Sequence, residues 1–340
     1  MSTAHRSPET AHRVWQELMR VERIGIVGHT YPDGDAISSM LALAQLLDMQ
    51  EKTVQLFSRH PVPEYLRFLP GLDRIDVTAS MSHALDALVF IECTDPERTG
   101  IAGLQQTRHW INIDHHACNR LFAHINWVDP AAPCVGAMIY QLATVGGLQP
   151  PTTFYTYIYV SLMTDTGNFQ YNLHPRVFAL AYDLVRRGVP AEWIHREVYG
   201  RYPVRKWRLL ARVLDTLEQS EDGRIAWITA TADMLRELGA QYEDLDGFVD
   251  YPLRTRDVEV AIFFKEVAPN RFRVSLRCHE PWNLLPLAQQ FGGGGHRKAV
   301  AFPMTGTLAD VKARVLESVR AYLHNADVYV SDYPELAYSR

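Results

Sequence analysis

Apolar and polar positions set out two textures along the chain. Residues 8–22 carry the spacing of an amphipathic helix, and 24–27 is a short apolar strand that ends at Gly28 and His29. Residues 36–47 are apolar at helical spacing, and 53–57 are β-prone. A continuous apolar run over 87–91 ends in Glu92, and another strand over 110–113 ends in Asp114. Helical patterns follow over 135–144, 154–163, 176–187 and 191–198. Short buried strands separated by helices predict an α/β unit with a doubly wound, mainly parallel sheet.

The texture changes near residues 200–204, where Pro203 marks a boundary before a connecting helix over 205–217. Beyond it, 225–229, 258–265 and 272–277 read as strands of an open sheet, with helices over 234–238, 284–290 and 308–323. Four consecutive glycines, 292–295, interrupt them. The expected division is a first domain over 1–200, a linker over 201–217 and a smaller mixed α/β domain over 218–340. The last dozen residues read as a surface tail.

Composition narrows the function classes. At roughly 150 residues per domain, 340 residues make about two. Lys and Arg number 34 against 39 Asp and Glu, a net charge of −5, which argues against a long track along a nucleic-acid backbone. A short phosphate ligand in a local basic pocket stays open. The polar N-terminus lacks the apolar core of a signal peptide, and the apolar stretch 154–163 is too short to span a bilayer. Cys93, Cys118, Cys134 and Cys278 form no CxxC pair, so reduced thiols and a cytoplasmic, membrane-free setting are expected.

The polar residues with chemical potential stand where apolar elements end. In a parallel sheet, ligands collect beyond the carboxyl ends of the strands. The first strand runs into Gly28-His29-Thr30-Tyr31-Pro32-Asp33-Gly34-Asp35, which places His29, Asp33 and Asp35 within seven residues. The plain alternative is a strand-to-helix turn with Asp35 as the helix cap. The second strand delivers Glu92, then Asp95 and Arg98, for which a solvated loop is the plain alternative. The third delivers Asp114-His115-His116. Neighbouring side chains diverge, so one histidine can bind a metal while the other faces substrate, with Asp114 orienting a ring. Asp165 follows the apolar helix 154–163. This oxygen-rich set, with imidazole and no thiolate, suits Mn²⁺ or Mg²⁺. Its carboxylates call for more than one cation, and two ions about 3.5–4 Å apart form the usual arrangement for attack on a phosphate ester.

Downstream, Gly293, Gly294 and Gly295 run into His296, Arg297 and Lys298. Glycines let backbone N–H groups approach an anion while the cations supply charge; a flexible loop is the plain alternative. Arg277, at the end of the strand over 272–277, could join them.

His29-x-x-x-Asp33-x-Asp35, Glu92, Asp114-His115-His116, Asp165 and Gly293-Gly294-Gly295-His296 together resemble the DHH phosphoesterase superfamily, in its usual order and over residues 20–305. In length and layout the chain is most similar to the stand-alone nano-RNases, also called oligoribonuclease and pAp-phosphatase proteins. The resemblance implies a catalytic domain and a DHH-associated domain facing each other across an active-site cleft. It implies that His29 and Asp33 hold one Mn²⁺, that Asp35, His115 and Asp165 hold another, and that position 92 bridges them. It further implies that His116, backed by Asp114, contacts the scissile phosphate, and that Arg277, Gly293, Gly294, Gly295 and His296 bind the substrate. Two positions depart from the pattern. The bridge is usually aspartate, whereas this chain has Glu92, with Asp95 as an alternative. Val300-Ala301 stands where Ala-Gly is usual, which would reshape the pocket floor.

The expected activity is two-metal hydrolysis of short oligonucleotides, or of 3′,5′-bisphosphorylated adenosine, with no long nucleic-acid track. A linear or cyclic dinucleotide phosphodiesterase of the same superfamily is the alternative, weakened because the membrane-tethered sensor segments are missing. A non-catalytic nucleotide-binding regulator is favoured by Glu92 alone. A homodimer is compatible with the sequence, which does not choose among RNA, DNA and bisphosphate substrates.

Overall fold

The computed structural model describes residues 8–171 and 173–330. The N-terminal segment 1–7 and all of the expected tail beyond residue 330 lie outside the described residues. The chain divides into two compact units, Met1–Arg201 and Tyr202–Arg340.

The first unit is built on six strands: β1 (Arg23–Val27), β2 (Thr53–Ser58), β3 (Ile75–Val77), β4 (Ala87–Ile91), β5 (Trp110–Asp114) and β6 (Ile125–Val128). Their order is β3-β2-β1-β4-β5-β6, and every pairing is parallel. Among the described residues six α-helices accompany them: α1 (Pro8–Arg20), α2 (Gly34–Asp48), α3 (Val135–Val145), α4 (Thr152–Asp165), α5 (Pro175–Arg186) and α6 (Ala191–Tyr199). β1 pairs with β2 on one side and β4 on the other, so strand order reverses at β1. A crevice opens at such a switch point, beyond the carboxyl ends of the strands.

The apolar runs seen in the sequence are continuous because the central strands are buried on both faces. Ile24, Ile26, Val89, Ile91, Ile111 and Ile113 pack against the helices. On the other face Val27, Phe57, Leu88 and Phe90 are covered by Met81, Leu85, Ile101 and Leu104, which belong to loops and 3₁₀ turns instead of α-helices. At the head of α2, an added Cβ on Gly34 would lie 2.4 Å from Thr164 Oγ1. Glycine therefore permits the close approach that brings the Asp33–Asp35 segment to the C-terminal end of α4.

The second unit contains α7 (Val204–Leu214), β7 (Glu218–Gln219), β8 (Ile225–Ala230), α8 (Ala232–Leu238), α9 (Asp250–Leu253), β9 (Val260–Ala268), β10 (Arg271–Cys278), α10 (Leu285–Gln290), β11 (Gly294–His296), β12 (Ala299–Thr305) and α11 (Leu308–Val330). Its sheet runs β11-β12-β10-β9-β8-β7, parallel between β8 and β9 and antiparallel elsewhere. Val274, Leu276, Val300 and Phe302 share one core with Val311, Val315 and Val319 of α11. On the opposite face Ile228, Ala261 and Phe263 pack with Leu209, Leu210 and Val213, so the helix read as a connector is built into this unit. Among the described residues no helix is long and apolar enough to cross a membrane.

Candidate metal centre

Asp33, and not Asp35, caps α2: its Oδ1 accepts from the Ala36 amide at 3.0 Å. Asp33 Oδ2 remains 3.7 Å from His29 Nε2. Asp35, in the first turn, points inward and is buried. Its Oδ1 accepts from Ser39 Oγ at 2.9 Å, Ser161 Oγ at 2.5 Å and the Gly136 amide at 3.2 Å. Its Oδ2 accepts from the Val135 amide at 2.8 Å. The two amides are among the first N–H groups of α3, which lack intrahelical acceptors and favour an anion. One carboxylate is thus fixed by α2, α3 and α4 together.

Glu92 follows β4 with φ of +59°, a left-handed conformation that costs a side-chain-bearing residue roughly 1–2 kcal/mol. Its carboxylate is buried, and among the described residues Oε2 accepts no hydrogen bond; His29 Nε2 lies 3.5 Å from it. Burial pushes the Glu92 carboxyl well above its usual pKa, and the charges of Asp33 and Asp35 add to the shift.

His115, just past β5, faces the same place. Its Nδ1 lies 3.1 Å from the Ala132 carbonyl, an acceptor, so Nδ1 carries a hydrogen and Nε2 is the nitrogen turned towards the carboxylates. Nε2 is 3.8 Å from Asp35 Oδ2 and 3.9 Å from Asp165 Oδ2. Burial lowers the imidazole pKa, but Asp165, Asp35 and Glu92 outweigh it and raise the value to about 9. The carboxylates around Nε2 thus favour a positive charge at this place.

These side chains form two groups. One ligand atom from each of Asp35, Glu92, His115 and Asp165 falls within 4.8 Å of the others, and the same holds for His29, Asp33 and Glu92. Glu92 belongs to both. Asp95 belongs to neither; it caps the 3₁₀ turn Pro96–Thr99, accepting from the Arg98 amide at 3.0 Å. The donors are carboxylate oxygens and imidazole. Cys93 adds no thiolate, because burial pushes its thiol pKa well up. An orphaned buried carboxylate oxygen and this donor set fit a hard divalent cation.

Beside the cluster, His116 Nδ1 lies 2.7 Å from Asp114 Oδ1, while Asn119 Nδ2 donates to Asp114 Oδ2 at 2.5 Å. The amides of His115 and His116 also donate to Asp114 Oδ1, at 2.8 and 3.2 Å. Burial opposes ionisation of Asp114, but His116 and these hydrogen bonds hold its carboxyl below the usual range. The supports that sequence reasoning missed are Ser39, Ser161 and the Ala132 carbonyl. Ser161 left a trace, as a polar residue within an otherwise apolar run.

In the second unit, Arg277 pairs in register with Ala299, and Ala299 with His296 on the next strand. Cross-strand partners share a face, so Arg277 and His296 flank a small alanine on one side of the sheet. Arg277 Nε is 3.7 Å from Asp250 Oδ1. Gly294 and Gly295 are strand residues of β11 and not a break in the structure. A Cβ on Gly293 would lie 2.4 Å from the Ala301 carbonyl oxygen, and one on Gly295 2.3 Å from that of Ala299, so close pairing with β12 demands glycine at both. Val300 is buried in the core, so only Ala301 of that pair shares the Arg277 face.

Comparison with known proteins agrees with this architecture. The model of the DHH family, N-terminal domain, matches residues 23–163, and that of the DHHA1 domain matches 226–325. The bifunctional oligoribonuclease and PAP phosphatase NrnA of Thermus thermophilus is 30% identical over 324 residues, covering 92% of this chain and 97% of the relative. Its Bacillus subtilis counterpart is 24% identical, covering 79% and 85%. An exopolyphosphatase-related protein from Bacteroides fragilis shares the fold, with a TM-score of 0.82 at 24% identity, over 97% of this chain and 100% of that one. The chain belongs to the DHH family of phosphoesterases, with a DHH domain followed by a DHHA1 domain.

Proposed function

We propose that the chain is a two-metal hydrolase of short oligonucleotides and of 3′,5′-bisphosphorylated adenosine. The observation that carries the reading is Glu92, shared by both ligand groups. The activities named for the Thermus thermophilus relative, similar over nearly its whole length, support the substrate class. In this reading His29 and Asp33 would hold one ion, Asp35, His115 and Asp165 would hold the other, and Glu92 would contribute to both. Mn²⁺ is the preferred ion, with Mg²⁺ next. Bound divalent cations supply Lewis-acid polarisation of a phosphoryl oxygen and lower the pKa of water.

The remaining steps belong to the chain. Asp114 fixes the His116 ring through Nδ1, which leaves Nε2 to engage the scissile phosphate or the departing oxygen. Arg277 and His296, with the Gly293, Gly294 and Gly295 backbone, hold the nucleotide and its terminal phosphate. A net charge of −5 disfavours long polyanions, so turnover should fall steeply beyond about five nucleotides. The test compares a dinucleotide with a strand of roughly 24 nucleotides at equal concentration of ends. Fast cleavage of the dinucleotide alone supports the reading. Equal rates on both would replace it with a processive exonuclease.

A further inference from the structure

Tyr31 stands between His29 and Asp33, yet belongs to neither ligand group. Its side chain is 55% exposed, and its ring lies parallel to that of His60, with centroids 4.6 Å apart and planes 5° from parallel. His60 lies two residues beyond β2, and β2 is the sheet neighbour of β1. Both rings therefore stand past the carboxyl ends of adjacent strands, at the edge where this sheet gathers its polar residues.

The backbone beneath the pair is pinned. The Thr30 amide donates to the Arg98 carbonyl at 2.6 Å, Ser58 Oγ donates to the His60 carbonyl at 2.7 Å, and α2 starts from the Asp33 cap. The rings themselves are not tied down: among the described residues, neither the Tyr31 hydroxyl nor the His60 imidazole makes a hydrogen bond or an ion pair. A preformed, half-exposed two-ring stack that the fold does not otherwise use is a surface for another flat ring. Two residues of chain span at most roughly 7 Å, which keeps Tyr31 within a nucleotide's reach of His29 and Asp33.

We infer that the Tyr31–His60 pair is a stacking platform for the nucleobase of the nucleotide whose phosphate is attacked. This deepens the proposed function and rests on it. Every base presents a π-face, so such a platform gives affinity without strict sequence choice, and the larger ring system favours purine over pyrimidine at that nucleotide.

The experiment measures kcat, KM and metal content for the full chain and for Tyr31→Leu, Tyr31→Phe and Tyr31→Trp. The substrates are diadenylate and an analogue in which hydrogen replaces each base. A dinucleotide carrying 2-aminopurine reports stacking by fluorescence quenching on mixing, before and independently of turnover. Tyr31→Leu should raise KM for diadenylate about tenfold and abolish the quenching, with metal content unchanged. Phe and Trp should restore both, and the base-free analogue should not distinguish Tyr31→Leu from the parent. An unchanged KM and quenching in Tyr31→Leu, or an equal loss on the base-free analogue, overturns the platform. A parent that quenches 2-aminopurine but cleaves no short nucleotide overturns the proposed hydrolase, and with it the assignment to the attacked nucleotide, while showing that the ring pair binds a base.

Discussion

His29 Nε2 lies 3.5 Å from Glu92 Oε2, in a contact too long for a strong hydrogen bond. Two ligand atoms that each stand about 2.1 Å from a common ion are roughly 3.0–3.5 Å apart at octahedral or tetrahedral angles. The pair therefore has the spacing of two ligands around a small cation. The wider 3.7–3.9 Å separations among Asp33, His29, Asp35, His115 and Asp165 are within a short side-chain adjustment of it.

Exhaustive chelation should abolish turnover, and Mn²⁺ should restore it. Full activity with no residual metal by elemental analysis would sink the two-ion reading. Within the cluster, Asp165→Ala should lose metal while leaving thermal stability close to that of the metal-free parent. Asp35→Ala should lose metal and also about 3 kcal/mol of stability, because it strips the acceptor from two buried serine hydroxyls and the Val135 amide and leaves the Gly136 amide only Ser161 Oγ. Equal melting temperatures for the two metal-free variants would refute the bracing role of Asp35.

Glu92→Asp should stay folded, bind metal and retain activity, since charge is kept and aspartate tolerates the left-handed backbone at this position. Glu92→Ala should remove the anion common to both groups and cost most of the activity. Asp95→Ala should cost little, as Asp95 caps a 3₁₀ turn and accepts one long hydrogen bond from Thr94 Oγ1. A fully active Glu92→Ala beside a dead Asp95→Ala would reverse the assignment.

Relative to the metal-loaded chain, the metal-stripped chain should lose stability as pH rises. His115 has its folded-state pKa raised from 6.5 to about 9, so its contribution is complete below about 6.5 and disappears as pH climbs through 9. Glu92, also raised, acts in the same direction from the carboxylate range upward. A bound cation takes the place of the proton, so the metal-saturated chain should lack this falling limb. Thermal melts at pH 6.5 and about 9.5, with and without Mn²⁺, measure it. Burial lowers the Lys265 pKa to about 8, which adds stability over the same window in both forms. A stability gap between the stripped and Mn²⁺-saturated chains that stays the same at both values would therefore contradict the electrostatics of the cluster.

Arg277→Ala and His296→Ala should raise KM or lower kcat/KM for nucleotides while metal content stays at the parent value. Loss of bound metal in either variant would show that these residues act on the cation cluster and not on the substrate.

The sequence made the central strands of the first unit visible because burial on both faces writes them as unbroken apolar runs ending in acids or histidine. β3 and β6 escaped: Asp76 interrupts the first and Asn126 the second, and each is only three or four residues long. β12 was hidden by Pro303. The proline is tolerated because β11 pairs only as far as Ala301, leaving that side of β12 without a partner at residue 303. In the metal centre, strand-end positions marked the ligand candidates, but not which aspartate caps α2, since Asp33 and Asp35 are equally good cap formers. Nor could spacing reveal that Ser39 and Ser161 converge on Asp35, because that contact depends on how three helices pack.

Asp35 and Ser161 are 126 positions apart, and the two ligand groups run from His29 to Asp165. At ordinary translation rates of 5–20 residues per second, roughly 7–27 s separate the first of these residues from the last as the chain is made. The nascent chain thus exposes His29, Asp33 and Asp35 long before α4 exists to complete their surroundings. A cation held by Asp35, Glu92, His115 and Asp165 cannot template the early steps of folding; it can only lock a unit whose strands and helices have already found one another. Cellular metal supply should therefore govern how long the finished protein survives more than how readily it forms.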